Sequence, residues 1–346
     1  MKPGTVFRAA AFAIAAVLLI GLLVFQALGG AAGLQRMAIE RTLEPKHASL
    51  FEDGRLHVFT LGTGSPQPGS GRMPAANAII AGKELLIIDA GEGASRTMGD
   101  LSLPLDRTSA VFITHWHSDH FSGLGALLNA SWNMGRSHAL NVYGPPGIDR
   151  VISGLSLVYT DDIRYRSSGE VEEIDSANAL GVPVAVNPAP EKSSVVFDRN
   201  GVVVRAFRVD HGHIDPAFGY RIDYNGRCVT FSGDTVATPR VAKAAAGCDV
   251  LVHEAINSEM IRGAAAVLRD NGSIELATRA ERLIDYHADT IATARIAAEA
   301  GVRKLILTHL IPWSRNRLVG LLYTSGMSEE FGGEIIVADD GQRFDI

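Results

Sequence analysis

The stretch "THWHSDH", Thr114 to His120, follows the apolar run "AVFI" at Ala110–Ile113. It places three imidazoles and a carboxylate, His115, His117, Asp119 and His120, within six residues. Side chains two apart on an extended chain point the same way, so His115 and His117 read as a pair for one ion. Asp119 and His120 lie past the strand end, where a turn can aim them at a second ion. Nitrogen and oxygen donors without sulfur suit zinc, with manganese or iron also admitted. A polar loop with chance histidines is the bland alternative, and four strong ligands in seven residues make it improbable.

Outward from this loop, short apolar strands alternate with helices. Upstream lie the strand-like "LHVFTL", the Gly/Pro-rich loop "GTGSPQPGSGRMP" and the strand pair within "NAIIAGKELLIIDAGEG". Downstream come a helix from Phe121, then the strand "LNVYGPP". Residues 147–200 begin with helical character and turn polar and loop-rich. They read as a surface insertion expected to wall the site. The core resumes with "GVVVRAFRVD", a hairpin around Asn225-Gly226, the apolar "DVLVHEA", two helical stretches, "KLILTH" and a last strand "GEIIVADD". This order predicts an α/β layered domain.

The chain has 346 residues, 47% of them hydrophobic, enough for one large core. A net charge of −6 offers no basic field, which argues against a nucleic acid partner. Cys228 and Cys248, the only cysteines, read as small buried hydrophobes, and no CxxC thiolate site exists. At the N-terminus, Lys2 and Arg8 precede "AAAFAIAAVLLIGLLVF", long enough to reach across a bilayer's hydrocarbon. Residues 1–34 are therefore expected to be a hydrophobic helix acting as a membrane anchor or, through "ALGGAAG", a cleaved signal. Residues 35–54 read as a linker and 55–346 as the catalytic domain. That domain is expected on the periplasmic, extracytoplasmic side, held at the membrane or released there.

The HxHxDH pattern after a strand resembles the signature of the metallo-β-lactamase superfamily. "LGTGSPQP" and "LLIIDAGEG" before it, and "FSGDT", "VHEA" and "LILTHL" after it, agree in order. "LGTGSP", "GEG", "GYRI" and "SGDT" look like the branch containing tRNase Z enzymes and arylsulfatase-type hydrolases. The resemblance covers about Leu56 to the C-terminus. It implies an αββα sandwich with two Zn2+ at the strand ends. His115 and His117 would bind the first ion and Asp119 and His120 the second. Asp234 would bridge them and His309 would complete the second set. Asp119 is also carried as a catalytic residue.

The first ion's third ligand is expected to be His211, with His213 as the alternative, in "VDHGHIDPAFGYRI". Gly212 permits the sharp turn that a ligand loop needs after His211, and "DHG" resembles the arylsulfatase-type branch. His213 stands at a spacing that resembles tRNase Z enzymes and otherwise lines the pocket. His287 in "YHADT" resembles a histidine that assists catalysis by serving the leaving group. Asp89, His253 and Glu254 are expected behind the ligands, orienting them or His287.

The implied function is metal-dependent hydrolysis of sulfate esters or phosphodiesters, arylsulfatase-like. The alternatives are a lactonase or β-lactamase, and a tRNase Z-like endoribonuclease that trims tRNA 3′ ends. Only "IDYNGRCVTFS" separates "GYR" from "GDT", where bacterial tRNase Z enzymes carry a long arm. The expected partners are accordingly a small-molecule ester and a membrane, with a homodimer allowed.

Overall fold

The computed structural model describes residues 18–43, 46–67, 69–170, 174–313 and 317–346. The chain divides into two compact units, residues 1–46 and 47–346.

In the first unit, the helical residues Leu18–Ala27 (α1) and Gly30–Leu43 (α2) are separated by a sharp bend. Leu18–Ala27 and Gly30–Met37 meet at 65°, so the expected single hydrophobic helix is broken. Among the described residues no single helix is long and apolar enough to cross a membrane. The cause is local. Gly29 and Gly30 adopt left-handed φ values of 82° and 66°, which end a right-handed helix. The part of the expected helix that falls on residues 1–17 lies outside the described residues.

The second unit holds two seven-stranded sheets. In chain order the strands are β1 (Leu56–Gly62), β2 (Ala76–Ala81), β3 (Glu84–Ala90), β4 (Thr108–Phe112), β5 (Leu140–Gly144), β6 (Gly181–Ala185), β7 (Ser194–Arg199), β8 (Val202–His211), β9 (Ile214–Tyr224), β10 (Arg227–Phe231), β11 (Val250–Ile256), β12 (Lys304–Ile311), β13 (Glu334–Val337) and β14 (Gln342–Asp345). One sheet runs β14-β1-β2-β3-β4-β5-β6 and the other β13-β12-β11-β10-β9-β8-β7. Each is half antiparallel and half parallel. Pairs from β14 to β3 are antiparallel and those from β3 to β6 parallel. The second sheet mirrors this, antiparallel from β7 to β10 and parallel from β10 to β13.

The remaining helices are α3 (Ala94–Asp100), α4 (Ser118–Phe121), α5 (Leu124–Asn133), α6 (Ile148–Val158), α7 (Thr160–Tyr165), α8 (Pro239–Ala245), α9 (Ser258–Asp270), α10 (Ile274–Arg282), α11 (Thr290–Ala300), α12 (Arg317–Tyr323) and α13 (Met327–Glu330). Between the sheets, Ile79, Ile88 and Phe112 pack with Val204, Phe218 and Val252. Outside the first sheet, Met98, Leu127 and Ile152 from α3, α5 and α6 cover its other face. Outside the second, α8, α11 and α12 supply Val241, Ala294 and Tyr323. The result is four layers, αββα. Every residue of β1, β2 and β3 is buried, which explains why "LLII" is a continuous apolar run and not an alternating one.

Three features of this unit depart from the sequence reading. Residues 147–200 are not a loop insertion throughout. They include α6, α7 and the strands β6 and β7, which form the outer edges of the two sheets. The strands escaped notice because they are short edge strands, with about half their residues exposed, and need no long apolar run. Cys228 and Cys248 are joined as a disulfide, Cα atoms 4.8 Å apart, between β10 and the turn leading to β11. They are buried as expected. A further strand, β14, lies at the edge of the first sheet against β1 and went unread because three of its four residues, Gln342, Arg343 and Asp345, are polar or charged.

Candidate metal centre

The predicted ligands meet at the ends of the central strands. After β4 the chain runs extended through His117, then turns into α4, whose first turn carries Asp119 and His120. Two side chains at a strand end thus share one direction and the next two are rotated by a helical turn. Close packing fixes the loop from behind. A Cβ at Gly91 would lie 2.4 Å from the Asp119 carbonyl oxygen, so only glycine fits there.

Asp89, at the end of β3, anchors this loop. Its carboxylate accepts from the Thr114 backbone N–H (2.8 Å), the Thr114 hydroxyl and His120 Nδ1 (2.8 Å). Its φ of 59° is a left-handed conformation held by these bonds. With Nδ1 engaged, His120 Nε2 is buried without a hydrogen-bond partner and faces the cluster.

The second sheet contributes one residue per strand end. His211 closes β8, and its Nδ1–H donates to the Tyr286 carbonyl (2.8 Å), which leaves Nε2 to face inward. Gly212 then turns the chain at φ 62°. Asp234 follows β10 after Gly233, itself at φ 62°. His309 lies within β12 at φ 46°, a second non-glycine residue held in the left-handed region. Such backbone outliers cluster where surrounding structure fixes a functional group.

Three overlapping sets of ligand atoms lie within 4.8 Å of one another: His115, His117, His211 and Asp234; Asp119, His120 and His309; and Asp234, His287 and His309. Asp234 Oδ2 stands between the first two sets. It is 3.3 Å from His120 Nε2, 3.2 Å from His309 Nε2, and 3.9 Å from both His115 Nε2 and His211 Nε2. His309 Nε2 also meets Asp119 Oδ2 at 3.1 Å.

The electrostatics fit a pair of cations. In the first set, ring nitrogens face one another: His115 Nε2 to His117 Nδ1 at 3.0 Å, His211 Nε2 to His117 Nδ1 at 3.3 Å. Burial, the largest influence, pushes the pKa of all three down, His211 to about 4, so their lone pairs converge uncharged. In the second set, burial opposes charge but the carboxylates outweigh it. Asp234 and Asp89 raise His120 well above its ordinary value, and Asp234 and Asp119 raise His309 to about 9. Asp234 is likewise held well below the usual carboxylate range, burial being outweighed by His309 and His120. Protons here occupy positions that a divalent ion would take, and metal binding would release them.

His287 stands beside this cluster. Its Nδ1–H donates to Glu254 Oε1 (3.1 Å), and the same oxygen accepts from the backbone N–H of Ala288 and Thr235. The ring is therefore fixed with Nε2 left over, stacked 5.5 Å from His309. His253 points elsewhere. It is buried, and its Nδ1 bonds the Glu254 carbonyl oxygen (2.6 Å), not a member of the cluster. Adjacent residues of a strand face opposite ways, so His253 and Glu254 cannot share a role. His213 is exposed, outside all three sets, with its ring 5.8 Å from that of Tyr286.

A pocket of 790 Å³ opens over the centre. Its floor includes His117, Asp119, Asp234, His287 and His309, and its wall comes from α9 and α10. Among the described residues, none of those lining the pocket belongs to 147–200, so the expectation that this segment walls the site is corrected. Those residues are drawn off to the sheet edges. Two contributors were missed in the sequence. Thr114 ties Asp89 to the histidine loop, and Tyr286 both holds His211 and lines the pocket. Tyr286 adjoins His287 in "YHADT", but a backbone carbonyl leaves no sequence signal.

Residues 85–310 match the family described as beta-lactamase superfamily domain. A curated relative, ribonuclease Z of Mycobacterium marinum, is 30% identical over 298 residues, covering 84% of this chain and 99% of the relative. Among solved structures, the metallo-β-lactamase fold protein YhfI from Bacillus subtilis superposes with a TM-score of 0.61 at 18% identity, covering 84% of this chain and 100% of that one. Human tRNase Z, short form, superposes with a TM-score of 0.60 at 24% identity, covering 83% and 98%. The Mycobacterium marinum relative is named a ribonuclease, and this overturns the expectation of a small-molecule ester substrate with nucleic acid disfavoured. That expectation rested on net charge, which sums the whole surface and does not describe the field at one cleft. It also rested on the short "GYR" to "GDT" segment, which is indeed the tight β9–β10 hairpin.

Proposed function

The chain belongs to the metallo-β-lactamase superfamily and is a metal-dependent hydrolase of ester bonds, and from this premise we propose that it is a dinuclear zinc endoribonuclease of the tRNase Z kind. The observation that carries the reading is His287, fixed by Glu254 with one nitrogen free beside the Asp234–His309 pair. A leaving ribose oxygen needs a positioned proton donor at that place. The sulfate-ester reading, by contrast, has no named relative among those above.

His115, His117 and His211 would hold one ion, Asp119, His120 and His309 the other, with Asp234 shared. Two such ions, when bound, lower the pKa of the attacking water and neutralise charge on the phosphoryl oxygens. The chain's own residues do the rest. As the water oxygen forms its bond to phosphorus, Asp119 takes the water's proton. As the bond from phosphorus to the ribose oxygen breaks, His287 Nε2 gives that oxygen a proton. Glu254 keeps the imidazole oriented. Asp89 holds His120 and the Tyr286 carbonyl holds His211, so each ring presents one nitrogen inward.

The N-terminal segment would place this domain outside the cytoplasm, as an anchor or a cleaved signal, and the Cys228–Cys248 disulfide supports an oxidising compartment. There the enzyme would meet RNA other than newly made tRNA precursors. The test uses the zinc-loaded full chain on single-stranded RNA, a chromogenic phosphodiester, a sulfate ester, a lactone and a β-lactam. Cleavage of RNA and of the phosphodiester is expected. Hydrolysis of the sulfate ester with RNA left intact would overturn the reading. A reporter fused after the domain, active only in the periplasm, tests the location.

A further inference from the structure

The pocket over the metal centre is chemically two-sided. Its floor is made of imidazoles and carboxylates. Its far wall is apolar, built from the hairpin of α9 and α10 and the turn after it. Ile261, Ala264 and Leu268 line it from α9 at spacings of three and four, one stripe of a helix. Ala280 and Leu283 line it from the other side, where they pack against Ile261 and Ile311. Tyr286 stands where wall meets floor, half-buried, two helical segments removed from α9 in sequence but adjoining His211 and His287 in space.

A phosphodiester on the floor therefore carries one substituent into an apolar, aromatic-edged space. The space also has polar groups, Gln67 and Ser118 and the Arg279 guanidinium. An acyl chain would leave these unpaired. A nucleobase has apolar faces and a hydrogen-bonding rim, and it matches both kinds of lining. The volume admits a nucleotide or two, within the range of small-ligand sites, and excludes a duplex. Histidines aside, Arg279 is the one cation among the described lining residues, and it already pairs with Glu275 on α10. A long run of phosphates would find little to grip.

We infer that the α9–α10 hairpin and Tyr286 form a nucleobase-binding subsite, which seats the base of one unpaired nucleotide next to the scissile phosphate. The inference rests on the phosphodiesterase reading above. Specificity then comes from stacking in the wall and not from the RNA backbone, so the enzyme selects frayed or single-stranded ends.

The experiment compares two short single-stranded RNAs on the zinc-loaded full chain. One carries a base on the nucleotide next to the scissile bond and the other an abasic ribose there. Removing the base is expected to raise KM about tenfold, the loss of one stacked base. In Leu268→Trp, which fills the wall, the ratio of the two KM values should collapse towards one. Ala264→Phe, at an exposed position of the same stripe, repeats the test should Leu268→Trp fail to fold. KM for the base-bearing RNA should also change little between low and moderate salt, since few phosphates are bound. Equal KM values for both RNAs in the unaltered enzyme would overturn the subsite and leave the phosphodiesterase reading intact. Cleavage of neither would overturn that reading and the subsite with it. Hydrolysis of phosphatidylcholine vesicles in place of RNA would assign the wall to a lipid and overturn the subsite.

Discussion

The two sheets supply the centre in different ways. From the first sheet, four donors come in six consecutive residues after one strand. From the second, His211, Asp234 and His309 come singly from three strand ends. Local turn geometry places the first group before any tertiary packing. The second group exists only as a product of the sheet. Yet neither half makes an ion site alone: His211 joins His115 and His117, His309 joins Asp119 and His120, and Asp234 faces both. The centre is therefore a lock between the sheets, and metal binding should favour the packed state over any partly folded one.

Breaking the shared member tests this most severely. Asp234→Ala removes the one carboxylate oxygen that approaches four imidazoles. Both ions should be lost or loosened, and hydrolysis should fall by more than the about 10⁴-fold that a single proton donor contributes at most. Metal content by mass spectrometry decides it. Two ions retained at full occupancy would show that the sheets hold their sites independently.

His287→Ala should leave metal content unchanged and lower kcat by about 10²- to 10³-fold, because in the proposed mechanism His287 would serve the leaving group while the other ligands would hold the ions. The loss should shrink for a substrate with a good leaving group such as nitrophenolate. Unchanged hydrolysis of RNA would remove His287 from the reaction.

Asp89→Asn sharpens the comparison within the first sheet. It weakens the hold on His120 but does not touch His115 or His117, so one ion should bind about 10- to 100-fold more weakly and the other normally. Equal weakening of both would mean that Asp89 fixes the whole loop through Thr114.

The two sets also differ in acid. Below pH 9, His309 carries a proton that an entering ion must displace, and His120 in the same set is also raised well above its ordinary value, so affinity for that ion should rise at least about tenfold per pH unit from 6 to 8. His211, at about 4, is already neutral across that range, so affinity at its set should stay nearly flat. Calorimetric titration in two buffers of different ionisation heat reads the released protons. The smallest effect is expected from His213→Ala, which should change metal binding less than about twofold because the residue is exposed and lies outside the ligand sets. A lost ion there would reverse the assignment of His211.

Much of this was legible in the chain. Buried strands must be apolar on both faces, so "LLIID" and "AVFI" announced themselves, and ligands stood at their ends where the chain leaves the sheet. Edge strands β6 and β7 were not legible, since half their residues face solvent. Nor was the break at Gly29-Gly30, because apolar length alone says nothing of backbone φ. His253 was grouped with Glu254 from adjacency, whereas alternation along β11 separates them.

The sequence by itself determined an α/β layered domain, the histidine loop and the donor types, because periodicity and short-range turns depend on near neighbours in the chain; the αββα sandwich was implied only by the resemblance to a known superfamily. Only the tertiary structure decided which nitrogen each imidazole offers, that His211 and not His213 enters the cluster, and that α9 and α10 wall the pocket. Those choices are set by groups far apart in the chain, such as the Tyr286 carbonyl on His211 and Glu254 on His287. Hydrogen bonds between such groups form only when the sheets have packed and excluded the water that would otherwise satisfy them.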